Sequence, residues 1–105
     1  MAIILTNDLQ YYNDIITKNE KVIVVFSASF CKPCKDIYPY IEELAQQNTD
    51  IFFIKVDIEE GCDISEQNNI QSIPHFKFFK SSNELISFSG ANKQTLQDSI
   101  KKLKE

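Results

Sequence analysis

The chain alternates between short blocks that are apolar throughout and longer stretches in which apolar residues recur every three or four positions. Val22-Ile23-Val24-Val25-Phe26 holds four β-branched residues and a Phe with no polar interruption, which predicts a central sheet strand buried on both faces. Ile51-Phe52-Phe53-Ile54-Lys55-Val56 has the same character. Between the two, Ile37, Ile41, Leu44 and Ala45 fall on one helical face, which makes a βαβ unit and hence a parallel strand pair. Upstream, Ile3-Ile4-Leu5 predicts a short strand, and Leu9, Tyr12 and Ile15 or Ile16 predict an amphipathic helix N-capped by Thr6 or Asn7. Downstream, Cys62 to Asn68 predicts a short helix and His75 to Lys80 a strand. Ser81-Ser82-Asn83 then turns into Glu84 to Phe88, and so close a connection requires an antiparallel hairpin. Asn92 N-caps a last helix through Leu96, Ile100 and Leu103, with lysines in its final turn as the helix dipole favours. The order βαβαβαββα defines an α/β fold. At 105 residues it forms a single domain, 1–105, since two halves would each lack a core.

Charge narrows the function classes. Eleven basic against fifteen acidic side chains leave a net charge of −4, a field that opposes nucleic-acid backbones and anionic membranes as partners. No apolar run approaches the roughly 20 residues of a spanning helix. The segment Met1 to Thr6 carries neither a basic n-region nor a cleavage site, which points to a cytoplasmic protein. Three cysteines, an odd number, argue against the fully paired framework of a secreted domain. Structural thiols, metal ligands and redox catalysts remain as their possible roles.

Cys31-Lys32-Pro33-Cys34 follows the buried strand directly and opens the next helix. That placement sets the first sulfur over unpaired backbone N–H groups at the positive end of the dipole, which stabilises a thiolate. A thiolate at Cys31 can attack a disulfide, and Cys34, one turn on, can resolve the mixed disulfide. Pro33 fits the first turn, where its missing N–H has no intrahelical acceptor. Half of a zinc site is the alternative, but Cys62 and His75 are the only further ligands and lack a second paired spacing, so no metal is expected. Lys32 and Lys35 make an electropositive, exposed neighbourhood that argues against a plain buried cysteine pair.

Phe26-Ser27-Ala28-Ser29-Phe30-Cys31-Lys32-Pro33-Cys34-Lys35, Val56-Asp57, Ile73-Pro74 and Phe88-Ser89-Gly90-Ala91-Asn92-Lys93 stand in the order and spacing of the corresponding stretches of eukaryotic thioredoxins, which the chain resembles almost end to end. The resemblance implies the thioredoxin fold, a five-stranded mixed β-sheet with the first and third helices on one face and the second and fourth on the other. It implies a cis Ile73–Pro74 bond facing the sulfurs and the backbone of Ile73 pairing with substrate. It also implies a disulfide reductase of the cytosolic type, Cys31 nucleophile and Cys34 resolving. Its only redox group would be the Cys31–Cys34 disulfide, with no other cofactor. Its partners would be a thioredoxin reductase or similar dithiol donor and disulfide-containing clients, and it would act as a monomer. An oxidase- or isomerase-like relative and a non-catalytic binding module of the same fold are the alternatives.

The chain departs from the family at positions expected to tune the site. Phe30 replaces the usual Trp, keeping an apolar shelf without the indole donor, and Lys32 replaces Gly, putting a cation near the Cys31 sulfur. Val25 stands where a buried Asp commonly deprotonates the second cysteine. Lys55, which matches a lysine beneath the site in some thioredoxins, His75 or water would then take that role, although Lys55 more simply packs its stem. Cys62 reads as a spare thiol, and Asp57, Glu59, Glu60 and Asp63 as a solvated acidic loop.

Overall fold

The computed structural model describes residues 3–105. Met1 and Ala2, part of the N-terminal segment discussed above, lie outside them. Strands β1 (Ile4–Leu5), β2 (Lys21–Ser27), β3 (Phe52–Asp57), β4 (His75–Lys80) and β5 (Asn83–Ser89) alternate with helices α1 (Leu9–Lys18), α2 (Lys32–Gln47), α3 (Cys62–Gln67) and α4 (Lys93–Lys104) in the predicted order. The sheet runs β1-β3-β2-β4-β5, parallel across β1, β3 and β2 and antiparallel from β2 through β4 to β5. β2 is central, and every residue from Val22 to Ser27 is at most 4% exposed, which is why its sequence shows no alternation.

Strand periodicity divides the core in two. Ile23 and Val25 of β2, Phe53 of β3 and Phe76 and Phe78 of β4 pack with Ile37, Ile41 and Leu44 of α2 and with Leu96, Ile100 and Leu103 of α4. Val22, Val24, Phe26, Ile54, Val56 and Phe79 pack with Tyr12, Ile15 and Ile16 of α1 and Ile64 of α3. Helices α2 and α4 therefore cover one face and α1 and α3 the other, as the resemblance implies.

Local starts and stops differ in instructive ways. Asp8, not Thr6 or Asn7, N-caps α1, its Oδ1 accepting the Tyr11 N–H at 3.0 Å. Thr6 is still tied to the sheet through its N–H to the Lys55 carbonyl at 3.1 Å, so the helix starts later. Asn92 caps α4 as predicted, accepting the Thr95 N–H at 2.9 Å. The β4–β5 turn narrows to Ser81 and Ser82, with φ of 50° and 72°, the mirror-image turn that matches strand twist, and β5 starts at Asn83. Phe78 pairs with Ile86 but Phe79 with Glu84, leaving Leu85 as the extra residue of a bulge. The bulge turns Glu84 to the α1/α3 face, where its carboxylate meets the buried Lys77 ammonium at 2.6 Å.

Candidate active site

β2 delivers the chain to the carboxyl-terminal edge of the sheet, and the loop Ala28–Phe30 carries it into α2 with Cys31 as N-cap. Cys31 holds extended dihedrals, φ −91° and ψ 106°, so its side chain folds back over the first turn, and its Sγ accepts the Cys34 N–H at 3.3 Å. Pro33 occupies that turn without displacing a backbone hydrogen bond. The Cα atoms of Cys31 and Cys34 lie 5.3 Å apart and their sulfurs form a disulfide. Both residues are more enclosed than the flanking lysines suggest, at 7% and 6% exposure. Their shelter comes from Ala28 and from Ile58 and Ile73, which the chain brings from the β3–α3 loop and the approach to β4.

Ile73–Pro74 is cis, Pro74 is buried, and its carbonyl accepts the Gly90 N–H at 2.8 Å, which ties this segment to the end of β5. Ile73 packs against the cysteine cluster. Phe30, 68% exposed, projects an aromatic surface next to Cys31 in the chain. Ile58 was not legible as a site residue, because only the β2–β3 pairing and the Ile58 N–H to Ser27 carbonyl bond at 2.9 Å bring it there.

Of the residues expected to tune the sulfurs, Lys32 is engaged elsewhere. Its ammonium pairs with the Asp36 carboxylate at 3.0 Å, one turn along α2, with both side chains well exposed. Val25 lies in the α2/α4 core at 3% exposure, with Lys55 opposite it on β3. The Lys55 ammonium sits 4.4 Å from the centre of the Tyr38 ring, a cation–π contact rather than stem packing alone. Behind Cys34 a cavity of about 310 Å³ opens between α2 and the ends of β2 and β3, lined by Ser27, Ala28, Ser29, Lys35, Tyr38, Pro39, Lys55 and Asp57 as well as Cys34. Asp57 is therefore part of the site and not simply a member of a solvated loop. Its Oδ1 accepts the Glu59 and Glu60 N–H groups at 2.8 and 3.1 Å.

His75 belongs to the opposite face. Its Nε2 lies 2.7 Å from Ser87 Oγ, its ring meets the Phe26 ring edge-on at 6.3 Å, and its buried Nδ1 has no partner. A neutral ring leaves only a bare lone pair at Nδ1, whereas a second proton would bury an N–H without an acceptor. Burial, and then the Lys77 charge, hold the imidazole below its usual 6.5, with Glu84 pulling the other way. The unfolded chain therefore binds this proton more readily. The resulting stability is complete above about pH 6.5 and is lost as pH falls below it towards the folded value. For His75→Phe, the urea midpoint relative to wild type should rise on going from about pH 8 to about pH 5. A difference independent of pH would contradict this placement. Cys62 is free and exposed at the start of α3, and among the described residues no three His, Cys, Asp or Glu side chains cluster as a metal site would require.

Two sulfurs that can join one turn apart, the first capping a helix, support exchange between thiols and disulfides, and the chain is a thiol-disulfide oxidoreductase. The sequence model of the family described as Thioredoxin matches residues 2–102, and the chain belongs to the thioredoxin family. It is 40% identical over 102 residues to thioredoxin 1 of Plasmodium falciparum, covering 97% of each chain. It is 39% identical over 85 residues to a thioredoxin of Gallus gallus, covering 80% of this chain and 81% of the other. A solved structure of Plasmodium falciparum thioredoxin superposes with a TM-score of 0.92 at 38% identity, over 95% of this chain and 98% of that one.

Proposed function

We propose that Cys31 is the nucleophile and Cys34 the resolving thiol of a reductase for protein disulfides, and that Ile73 and Pro74 present the backbone edge on which a client peptide lies. The observation that carries this is the Cys34 N–H directed at Cys31 Sγ at 3.3 Å, a donor that stabilises negative charge on that sulfur. Attack by the Cys31 thiolate forms a mixed disulfide. Attack by Cys34 on the Cys31 sulfur then expels the client thiolate, and two electrons pass to the client. The dithiol is the sole redox group, and a thioredoxin reductase or similar dithiol donor restores it. We assign the protein to the cytoplasm as a monomer. Lys32 favours an oxidising or isomerising role only as a free cation beside the sulfur, and its pairing with Asp36 supports the reducing direction instead. Phe30 and Pro33 shape the surface that clients meet.

A trapping experiment separates the two cysteines. With Cys62→Ser as background, Cys34→Ser mixed with insulin should accumulate one covalent client per molecule on Cys31, seen by mass spectrometry without reductant. Cys31→Ser should hold none. Equal adducts on both variants would overturn the assignment.

A further inference from the structure

We propose that Asp57 takes the proton of Cys34 during resolution, through water held in the cavity behind that residue. This rests on the resolving role given to Cys34 above. The Cys34 side chain is almost fully enclosed, so its thiol proton must leave through the surface it shares with the cavity. Strand register sets what stands there. Ser27 pairs with Asp57 and Val25 with Lys55, and since side chains alternate, all four project to the α2 side of the sheet. Val25 offers no proton acceptor.

The titratable groups lining the cavity beside Cys34 are Lys35 and Tyr38 from α2 and Lys55 and Asp57 from β3. Lys55, as a cation over the Tyr38 ring, has no lone pair to offer, and exposed Lys35 is likewise a cation. The Tyr38 hydroxyl is held above its usual range by burial and then by Glu42, which keeps it protonated. Asp57 is the one carboxylate among them. Its Oδ1 is fixed by two backbone donors, which orients the carboxylate and leaves Oδ2 as the basic atom. Asp57 also lines a second opening with Leu5, Asn7, Lys55 and Glu60, a route by which the proton can return to solvent.

The step balances. Cys34 passes its proton through water to the Asp57 carboxylate while its sulfur attacks Cys31 Sγ. The Cys31–client bond breaks, the Cys31–Cys34 bond forms, and the client sulfur leaves with the electron pair and is protonated from solvent.

Stopped-flow reaction of the reduced Cys62→Ser protein with an aromatic disulfide that releases a coloured thiolate gives two phases. The first equivalent reports attack by Cys31 and the second reports resolution by Cys34. Asp57→Asn keeps the Oδ1 acceptor and removes only basicity. It should slow the second phase at least about tenfold, a threshold set below the roughly hundredfold or more typical of a direct general base because the relay runs through water, and leave the first unchanged. Asp57→Glu, which restores a carboxylate at this position, should recover the second phase where Asp57→Asn does not. An unchanged second phase overturns the proposal. So does a faster one, because it would mean that the carboxylate acts only as a charge opposing the Cys34 thiolate. Equal slowing of both phases with a lowered Tm would make Asp57 structural and also overturns it. Loss of the first phase in wild type would instead strike at the assignment of Cys31.

Discussion

Cys31→Ser should lower reduction of insulin disulfides in the presence of dithiothreitol to the rate without protein, a loss of at least about a thousandfold in the protein-dependent rate. A serine hydroxyl is not ionised under conditions where a helix-capping thiol is, and the N–H donor at 3.3 Å cannot compensate for so large a difference in acidity. Cys34 is no substitute nucleophile. Cys34, unlike Cys31, lines the cavity behind the turn, away from the surface of Phe30 and Ile73 on which the proposed client would lie. The turbidity of precipitating insulin chains gives the rate directly. Equal rates for wild type and Cys31→Ser would show that the fold serves only as a binding module.

Phe26→Ala should lower stability by about 3–5 kcal/mol, the cost of emptying a buried aromatic site. Phe26 has no exposed surface, lies on the central strand, and fills the space between the Tyr12 ring at 6.5 Å and the His75 ring at 6.3 Å. Its loss leaves α1 and β4 without their common neighbour, and Tyr12, whose hydroxyl is bonded to Asn68, cannot move in to fill the gap. Against a typical total of about 5–15 kcal/mol the variant would be marginal, with Tm lower by roughly 15–30 °C. A thermal scan followed by far-UV circular dichroism checks this. A fall of less than about 5 °C would mean that the α1/α3 core does not depend on this ring.

The two predictions differ in how much of their basis was visible beforehand. The placement of Cys31 is a local matter. A buried strand followed by Cys-x-x-Cys and a helical repeat brings the first sulfur to a helix start whatever the rest of the chain does, and Cys31 is the N-cap. Phe26 as a core residue was equally plain, since an uninterrupted apolar run can be accommodated only inside a sheet. The flanking charges misled because local spacing says nothing about pairing. Lys32 reaches Asp36 along its own helix, and the cysteines are sheltered by Ile58 and Ile73 from distant segments. Lys77, in a strand whose sequence gives no sign of a buried charge, is covered because a bulge at Leu85 brings Glu84 to its face.

The pattern of residues by itself determined the element order and the central place of β2, and singled out Cys31 and Cys34 as the candidate reacting pair, while the division of helices between faces came from the resemblance to thioredoxins. The first three follow from periodicity or from contacts within one turn. Only the tertiary structure decided what surrounds Cys34, because Ser27, Tyr38, Lys55 and Asp57 meet there through strand register and helix packing across more than one element. Register is set by how whole faces bury their apolar sides, and a shift of one residue would turn Asp57 to the other face. The departure at Val25 was readable in the chain, but the carboxylate that stands two positions beyond its cross-strand partner emerged only once β2 and β3 were paired.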